Sequence, residues 1–227
     1  MGTLFVVATP IGNLADITQR AVATLRSADV IACEDTRRTK ILLDHYQITK
    51  PLVSYHQHSG VLKTQQVLAL LAEDKSVALV CDAGTPGIND PGGKLVAAAV
   101  VSGHRVVPIP GPSAITTALS VSGLPTDHFT FLGFLPHKKG RQTMFAKIAA
   151  AEETVVFYES THRILKTLEQ LVAALPDNRP MVVCRELTKQ FETIYRGNAA
   201  EVLQQLSGGV TKGEFVVIVG AARKLKM

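Results

Sequence analysis

Asp82 ends an apolar run and opens a bend rich in glycine and proline, and no stretch of this chain has more potential for chemistry. The run Ser76 to Cys81 is short, β-branched and apolar at nearly every position, the pattern of a strand buried on both faces. It leads into Asp82-Ala83-Gly84-Thr85-Pro86-Gly87-Ile88-Asn89-Asp90-Pro91-Gly92. A carboxylate at the carboxyl end of such a strand sits where open α/β sheets bind ligands, and the glycines let backbone approach that ligand closely. Asp82 is suited to accept hydrogen bonds from ligand hydroxyls or an ammonium group. A cationic nucleoside such as S-adenosylmethionine fits an acid beside carbonyl-rich loops. Methyl transfer then requires alignment of the methyl carrier with a nucleophile and exclusion of water.

Two further loops repeat the pattern. Thr3 to Ala8 runs into Thr9-Pro10-Ile11-Gly12-Asn13, and Arg105 to Ile109 runs into Pro110-Gly111-Pro112-Ser113-Ala114. A helical pattern follows each of the three loops: Ile17 to Arg26 with Asp16 as expected N-cap, Lys94 to Ser102, and Ser113 to Val121. Three strand-to-helix turns are therefore expected to meet on one edge of a parallel sheet. Mixed-charge clusters follow three more strand ends: Glu34-Asp35-Thr36-Arg37-Arg38 after Cys33, Glu159-Ser160-Thr161-His162-Arg163 after Tyr158, and Arg185-Glu186-Leu187-Thr188-Lys189 after Cys184. They read as walls of a site, or as ion pairs and helix caps.

Other chemistries lack their motifs. There is no G-x-G-x-x-G after the first strand, no P-loop and no G-x-S-x-G elbow, so Ser113 reads as a hydrogen-bonding loop residue. His56 and His58 suit one face of a strand, but no third ligand accompanies them and no metal is expected.

The elements that must position these residues alternate through the first half. Asp29 to Cys33 reads as a strand and Thr36 to His45 as a helix. Val61 to Ala72 reads as an amphipathic helix with Leu62, Val67, Leu68 and Leu71 on its apolar face. That order predicts a doubly wound parallel sheet. The turn-rich Gly123-Leu124-Pro125-Thr126-Asp127 is read as a boundary between a domain of residues 1–122 and one of residues 123–227. In the second, strands are expected over Phe129 to Phe134, Thr154 to Tyr158, Met181 to Cys184, Phe191 to Tyr195 and Glu214 to Val219. Helices are expected over Lys139 to Ala151, Arg163 to Leu175 and Ala199 to Leu206. Two strands joined by a short turn point to a mixed sheet in a smaller α/β domain.

Composition narrows the partners. Of 227 residues 46% are hydrophobic and 19% charged, which argues for a sizeable core over disorder. No apolar run nears the roughly 20 residues of a membrane span, and no signal-type segment opens the sequence. Three scattered cysteines argue against a disulfide framework and for the cytoplasm. The net charge of +5 is clustered at Arg37, Arg38 and Lys40, at His137, Lys138, Lys139, Arg141 and Lys147, and at Arg223, Lys224 and Lys226. Clusters of this kind suit a polyanion such as RNA, while the lack of tryptophan argues against a stacking platform.

The loops Thr9-Pro10-Ile11-Gly12-Asn13-Leu14, Asp82-Ala83-Gly84-Thr85-Pro86 and Pro110-Gly111-Pro112-Ser113-Ala114 resemble those of the tetrapyrrole methylase superfamily, the class III methyltransferases. The segments Glu34-Asp35-Thr36-Arg37, Phe157-Tyr158-Glu159-Ser160, Arg185-Glu186-Leu187-Thr188-Lys189 and Lys212-Gly213-Glu214 are similar to its branch that methylates the ribose 2′-hydroxyl of a cytidine in 16S ribosomal RNA. The resemblance spans essentially the whole chain. It implies two α/β domains with S-adenosylmethionine in a cleft between them, a homodimer, and the small ribosomal subunit or its RNA as partner, with no membrane. It also implies cofactor contacts from Pro10, Ile11, Asp82, Gly84, Ile88, Ser113 and Ala114, and from Tyr158, Glu159, Leu187 and Gly213. Glu34, Asp35 and Glu159 are the candidates for handling the proton of the ribose hydroxyl. Arg37 and Arg163 are candidates for RNA phosphates, with Arg185, Lys138 and Lys139 beside them.

Three departures from the branch stand out. Tyr55-His56-Gln57-His58-Ser59 replaces the commoner His-x-His-Asn-Glu, and Thr161 stands where many members have proline. Many members also carry a further basic helical segment, whereas this sequence ends at Met227, which bears on RNA affinity. Two other readings stay open: a porphyrin or corrin methylase, and a cofactor-binding ribosome-assembly factor without turnover.

Overall fold

The computed structural model describes residues 2–56 and 60–222. The chain forms two compact units, Met1–Ser113 and Ala114–Met227. The first contains β1 (Thr3–Val7), a 3-10 turn (Leu14–Asp16), α1 (Gln19–Ser27), β2 (Val30–Cys33), α2 (Thr36–His45), β3 (Leu52–Ser54), α3 (Gly60–Ala72), β4 (Val77–Val80), α4 (Gly92–Val101) and β5 (Arg105–Ile109). The second contains α5 (Ala114–Ser122), β6 (Phe129–Phe134), α6 (Arg141–Ala150), β7 (Thr154–Ser160), α7 (Ile164–Ala174), β8 (Met181–Arg185), β9 (Thr193–Gly197), α8 (Ala199–Ser207) and β10 (Glu214–Val219).

The first sheet is parallel throughout, in the order β3-β2-β4-β1-β5. Its strands alternate between two buried faces. Ala78 and Val80 join Ala21, Leu25 and Leu43 of α1 and α2, while Val77 and Leu79 join Val67, Leu71, Leu95 and Ala99 of α3 and α4. The neighbours β1 and β4 therefore lead into helices on opposite faces. That is the topological switch point, where an open sheet leaves a crevice beyond its carboxyl ends.

Two details of this unit correct the sequence reading. The cap of α1 is Thr18, whose hydroxyl accepts from the Ala21 N–H at 3.1 Å, because Asp16 is taken up in the preceding 3-10 turn. Leu62 is exposed on α3, whose buried contacts come from Val67 and Leu71. β3 was not read from the sequence at all. His56 lies beyond the end of β3, and His58 falls outside the described residues, as does the cluster Arg223, Lys224 and Lys226.

The second sheet is mixed, as expected, and runs β6-β7-β10-β8-β9 with only β6 and β7 parallel. It too has five strands. One face carries Phe215, Val217 and Val219 of β10 into a core with Phe145, Ile148, Leu168, Leu171, Val202 and Leu206 from α6, α7 and α8. Arg179 is buried among carbonyls. It donates to Ala149, Ile148, Ala151 and Gly220, and so ties the end of α6 to the end of β10.

Candidate functional site

In the first unit the carboxyl ends of β4, β1 and β5 lie side by side, and their loops lock together. Thr9 and Gly84 exchange backbone hydrogen bonds at 2.9 and 3.0 Å, and the Thr9 hydroxyl donates to the Cys81 carbonyl at 3.1 Å. The Thr85 hydroxyl donates to the Pro112 carbonyl at 3.2 Å. Gly84 has φ of +83°, and a Cβ there would meet Ile11 Cγ2 at 3.6 Å. There is room for a methyl group, so the left-handed backbone is what calls for glycine. Gly111 meets a tighter limit, because a Cβ there would lie 3.1 Å from that of Ala8. Asp90 shapes the rest of the bend, its carboxylate accepting from the N–H groups of Gly87 at 2.8 Å and Gly92 at 2.6 Å. The sequence reading missed Asp90, although aspartate before Pro-Gly is a turn signal.

β2 pairs with β4 in a register that sets Cys33 opposite Val80, which carries Glu34 and Asp35 alongside Asp82. The Asp35 N–H donates to Asp82 Oδ1 at 3.1 Å, and Arg38 Nε stands 3.6 Å from Asp82 Oδ2. The two acids of α2's approach differ sharply. Asp35 caps the helix through the Arg37 N–H and grips the Arg37 guanidinium at 2.8 and 3.1 Å, and these bonds hold its carboxyl down at about 2. Glu34 is half-buried, and desolvation, with Asp82 and Asp90 adding repulsion, raises its carboxyl above the ordinary 4.5.

The open side of this edge presents Asp82, Pro10 and Ser113 partly exposed and Ile88 exposed, beside the buried Ile11. A partly exposed carboxylate, apolar side chains and close backbone suit a nucleoside with ribose hydroxyls, so the residues present fit S-adenosylmethionine.

The second unit also gathers its sequence-singled residues on one edge. β7 and β8 both run antiparallel to β10, and Phe215 stands between Glu159 and Arg185. The Thr161 hydroxyl donates to the Gly213 carbonyl at 2.6 Å and accepts from the Gly213 N–H at 2.7 Å. Glu186 and Thr188 adopt φ of 53° and 66° on either side of the buried Leu187, and the buried Thr188 hydroxyl has no hydrogen-bond partner. Left-handed backbone and an unpartnered hydroxyl thus coincide in one turn. Gly213 has φ of +143°, and a Cβ there would strike Glu186 Cγ at 2.7 Å. Tyr158 packs its ring against Phe131 and Phe134, with centroids 5.0 and 5.5 Å apart.

Four charged residues of this unit occupy environments unlike those expected for direct chemistry. Glu159 is 1% exposed. Its carboxylate pairs with Arg163 at 2.7 Å and accepts from the Thr167 hydroxyl at 2.7 Å and the Ser160 N–H at 2.8 Å. An interior carboxylate so partnered suits an anchor better than a proton acceptor. Arg163 also donates to the Leu135 carbonyl at 2.9 Å. Arg185 is buried and donates to the carbonyls of Lys212 at 2.8 Å and Phe191 at 3.1 Å, which directs it to its own loops and away from phosphate. Arg141, grouped by sequence with an exposed basic cluster, is likewise buried, whereas Lys138 and Lys139 are exposed. Among the described residues no cluster of three metal-ligating side chains occurs, and no helix is long and apolar enough to cross a membrane.

The comparisons agree with this arrangement. The family model of tetrapyrrole (corrin/porphyrin) methylases matches residues 3–203. The chain is 51% identical to the ribosomal RNA small subunit methyltransferase I of Escherichia coli O157:H7, over 96% of this chain and 77% of that protein. Among solved structures, the methyltransferase CobJ superposes with a TM-score of 0.72 at 19% identity, over 99% of this chain and 97% of the other. A uroporphyrin-III C-methyltransferase from Thermus thermophilus, complexed with S-adenosylhomocysteine, superposes with a TM-score of 0.66 at 17% identity, over 96% and 97%. With a match of that length and a relative of that identity, the chain belongs to the tetrapyrrole methylase family and, within it, to the branch of the ribosomal RNA small subunit methyltransferase I proteins.

Proposed function

We propose that this protein uses S-adenosylmethionine to methylate the ribose 2′-hydroxyl of a cytidine in 16S ribosomal RNA. The reading is carried by one observation: a half-buried Glu34 of raised pKa beside Asp82, at the switch point where three glycine-bearing loops interlock. The cofactor supplies a sulfonium-bound methyl group to a nucleophile. Asp82 and the backbone around Pro10, Ile11, Gly84, Ile88 and Ser113 hold it. Glu34 takes the proton of the attacking hydroxyl. A carboxyl raised above its ordinary value by burial and neighbouring acids is a stronger base than one held at about 2, as Asp35 is. Lys138 and Lys139 meet RNA phosphates, and Arg37 joins them when it leaves Asp35. The working form is a homodimer in the cytoplasm acting on the small ribosomal subunit.

The test is incubation with labelled methyl donor and small subunits lacking the modification, followed by mapping of the labelled nucleotide. Label on a cytidine ribose is the expected result, and label absent from RNA overturns the reading. Raising salt should weaken substrate binding steeply, whereas a flat salt dependence would favour a small-molecule substrate.

A further inference from the structure

The carboxylate of Glu159 lies in β7, yet its hydrogen bonds run toward a different part of the second unit. Two guanidinium groups converge on it: Arg163 at 2.7 Å, and Arg141 at 4.0 Å with Thr167 as intermediary. Arg141 Nη2 donates to the Thr167 hydroxyl at 2.7 Å, and that hydroxyl donates to Glu159 Oε2 at 2.7 Å. Gln170 completes the set by accepting from Arg141 Nε at 2.8 Å. Glu159, Thr167 and Arg141 are all buried.

Each guanidinium has a second hand on the chain. Arg163 donates to the Leu135 carbonyl at 2.9 Å, and Arg141 donates to the Pro136 carbonyl at 3.0 Å. These consecutive carbonyls open the connection from β6 to α6, and Arg141 itself is the residue that closes it. Between the clamps stand His137, Lys138, Lys139 and Gly140, all exposed. No carboxylate pairs with either lysine among the described residues. A short exposed segment with two unpaired ammonium groups is thus held at both ends by arginines that share one interior carboxylate. Keeping the buried Arg141 and the partly buried Arg163 together without that carboxylate would be strongly unfavourable, so the clamp depends on Glu159.

We propose that Glu159 is a positioning residue that, through Arg141, Arg163 and Thr167, fixes the 137–140 loop so that Lys138 and Lys139 are presented to the phosphates of the RNA substrate. Glu159 then touches neither methyl donor nor ribose, and its influence reaches the reaction through substrate binding. The inference rests on the RNA-methylating function proposed above for its substrate. The clamp itself can be read without RNA.

The experiment compares Glu159→Gln, Thr167→Val, Gln170→Ala and the double variant Lys138→Ala/Lys139→Ala with the parent chain. Four readouts are used: tryptic cleavage after Lys138 and Lys139, binding of S-adenosylmethionine, RNA binding against salt, and the separate KM and kcat for RNA. Loosening the clamp lets the loop open, so cleavage there should rise about tenfold or more in Glu159→Gln and Thr167→Val, and less in Gln170→Ala. The KM for RNA should rise several-fold, with kcat at saturating RNA and methyl-donor binding held. The double lysine variant should raise the KM for RNA and lower the slope of log affinity against log salt by about two.

Thr167→Val is near-isosteric and Gln170 lies on the rim, so these two decide the matter if Glu159→Gln does not fold. Unchanged cleavage in folded Thr167→Val and Gln170→Ala overturns the clamp and leaves the methyltransferase reading standing. Faster cleavage in Glu159→Gln and Thr167→Val, together with an unchanged salt slope in the double lysine variant (which lacks both tryptic sites and is read by RNA binding alone), overturns the loop's part in RNA binding. A collapse of kcat in Glu159→Gln with KM and cleavage unchanged overturns positioning in favour of direct catalysis. A parent chain that methylates no RNA yet shows faster loop cleavage in the variants sinks the substrate reading alone.

Discussion

The two sheets each end in a carboxylate that the sequence marks as chemical, and the two carboxylates live differently. Asp82, at the end of β4, is partly exposed, with a neighbour, Glu34, whose carboxyl is raised by burial and by adjacent acids. Glu159, near the end of β7, is buried and taken up by Arg163, Thr167 and the Ser160 N–H. Position at a strand end is therefore not enough to assign chemistry. Exposure and the number of committed partners separate a carboxylate available to a ligand from one that holds the protein together.

The sharpest way to break this comparison is to remove each acid and ask whether folding or turnover suffers. Glu159→Ala leaves the buried Arg141 and the partly buried Arg163 without their counter-charge. Stability should fall by about 3–5 kcal/mol and Tm on the order of 10 °C, read by urea and thermal unfolding. A stable Glu159→Ala protein that has lost turnover would reverse the assignment.

Glu34→Gln should do the opposite. Methyl transfer should drop about a hundredfold or more, with S-adenosylmethionine binding retained. Because the folded-state pKa of Glu34 lies above its unfolded value, its contribution to stability is present below the ordinary 4.5 and lost as pH rises through the raised value. The variant should accordingly melt no lower than the parent at neutral pH. The parent's activity should fall as pH drops through the raised Glu34 pKa, and that acid limb should vanish in the variant.

Glycines sharpen the same contrast at smaller magnitude. Gly213→Ala meets Glu186 Cγ at 2.7 Å and should cost about 2–3 kcal/mol, part of it recovered by adding Glu186→Ala. Gly84→Ala has space and suffers only from its φ of +83°, so about 1–2 kcal/mol is expected from denaturant melts.

The smallest effect belongs to the exposed pair. Asp35, held at about 2, contributes stability that is present above its unfolded value and lost as pH falls toward 2. Arg37→Ala should move the Asp35 titration, followed by carboxyl NMR shifts, back toward 3.8, with melting at pH 7 little changed.

Much of the fold was legible because local pattern and global fold agree. Val77–Val80 is buried at every position and reads as an interior parallel strand, and Thr36–His45 is the helix that its pattern predicts, with Asp35 as the cap the structure adds. The short β3 was illegible because three half-buried residues carry no periodicity. Thr18 displaced Asp16 as a cap because a 3-10 turn intervenes, and that turn depends on Asn13 accepting from the Ala15 N–H. The loops of the first unit were read correctly as neighbours because parallel βα units place all their carboxyl ends on one edge. The fates of Glu159, Arg141, Arg163 and Arg185 were not, since the sequence gives charge and spacing but not depth.

Residue order by itself determined the alternation of strands and helices, the Gly and Pro bends at the ends of β1, β4 and β5, and the acid at each critical strand terminus. These follow from local sterics and hydrophobic periodicity, which act over a few residues. Only the tertiary structure decided which of those acids stays partly open to solvent and which is sealed beneath two arginines. That choice turns on desolvation and on partners such as Thr167 and Gln170, brought to Arg141 from 26 and 29 residues along the chain.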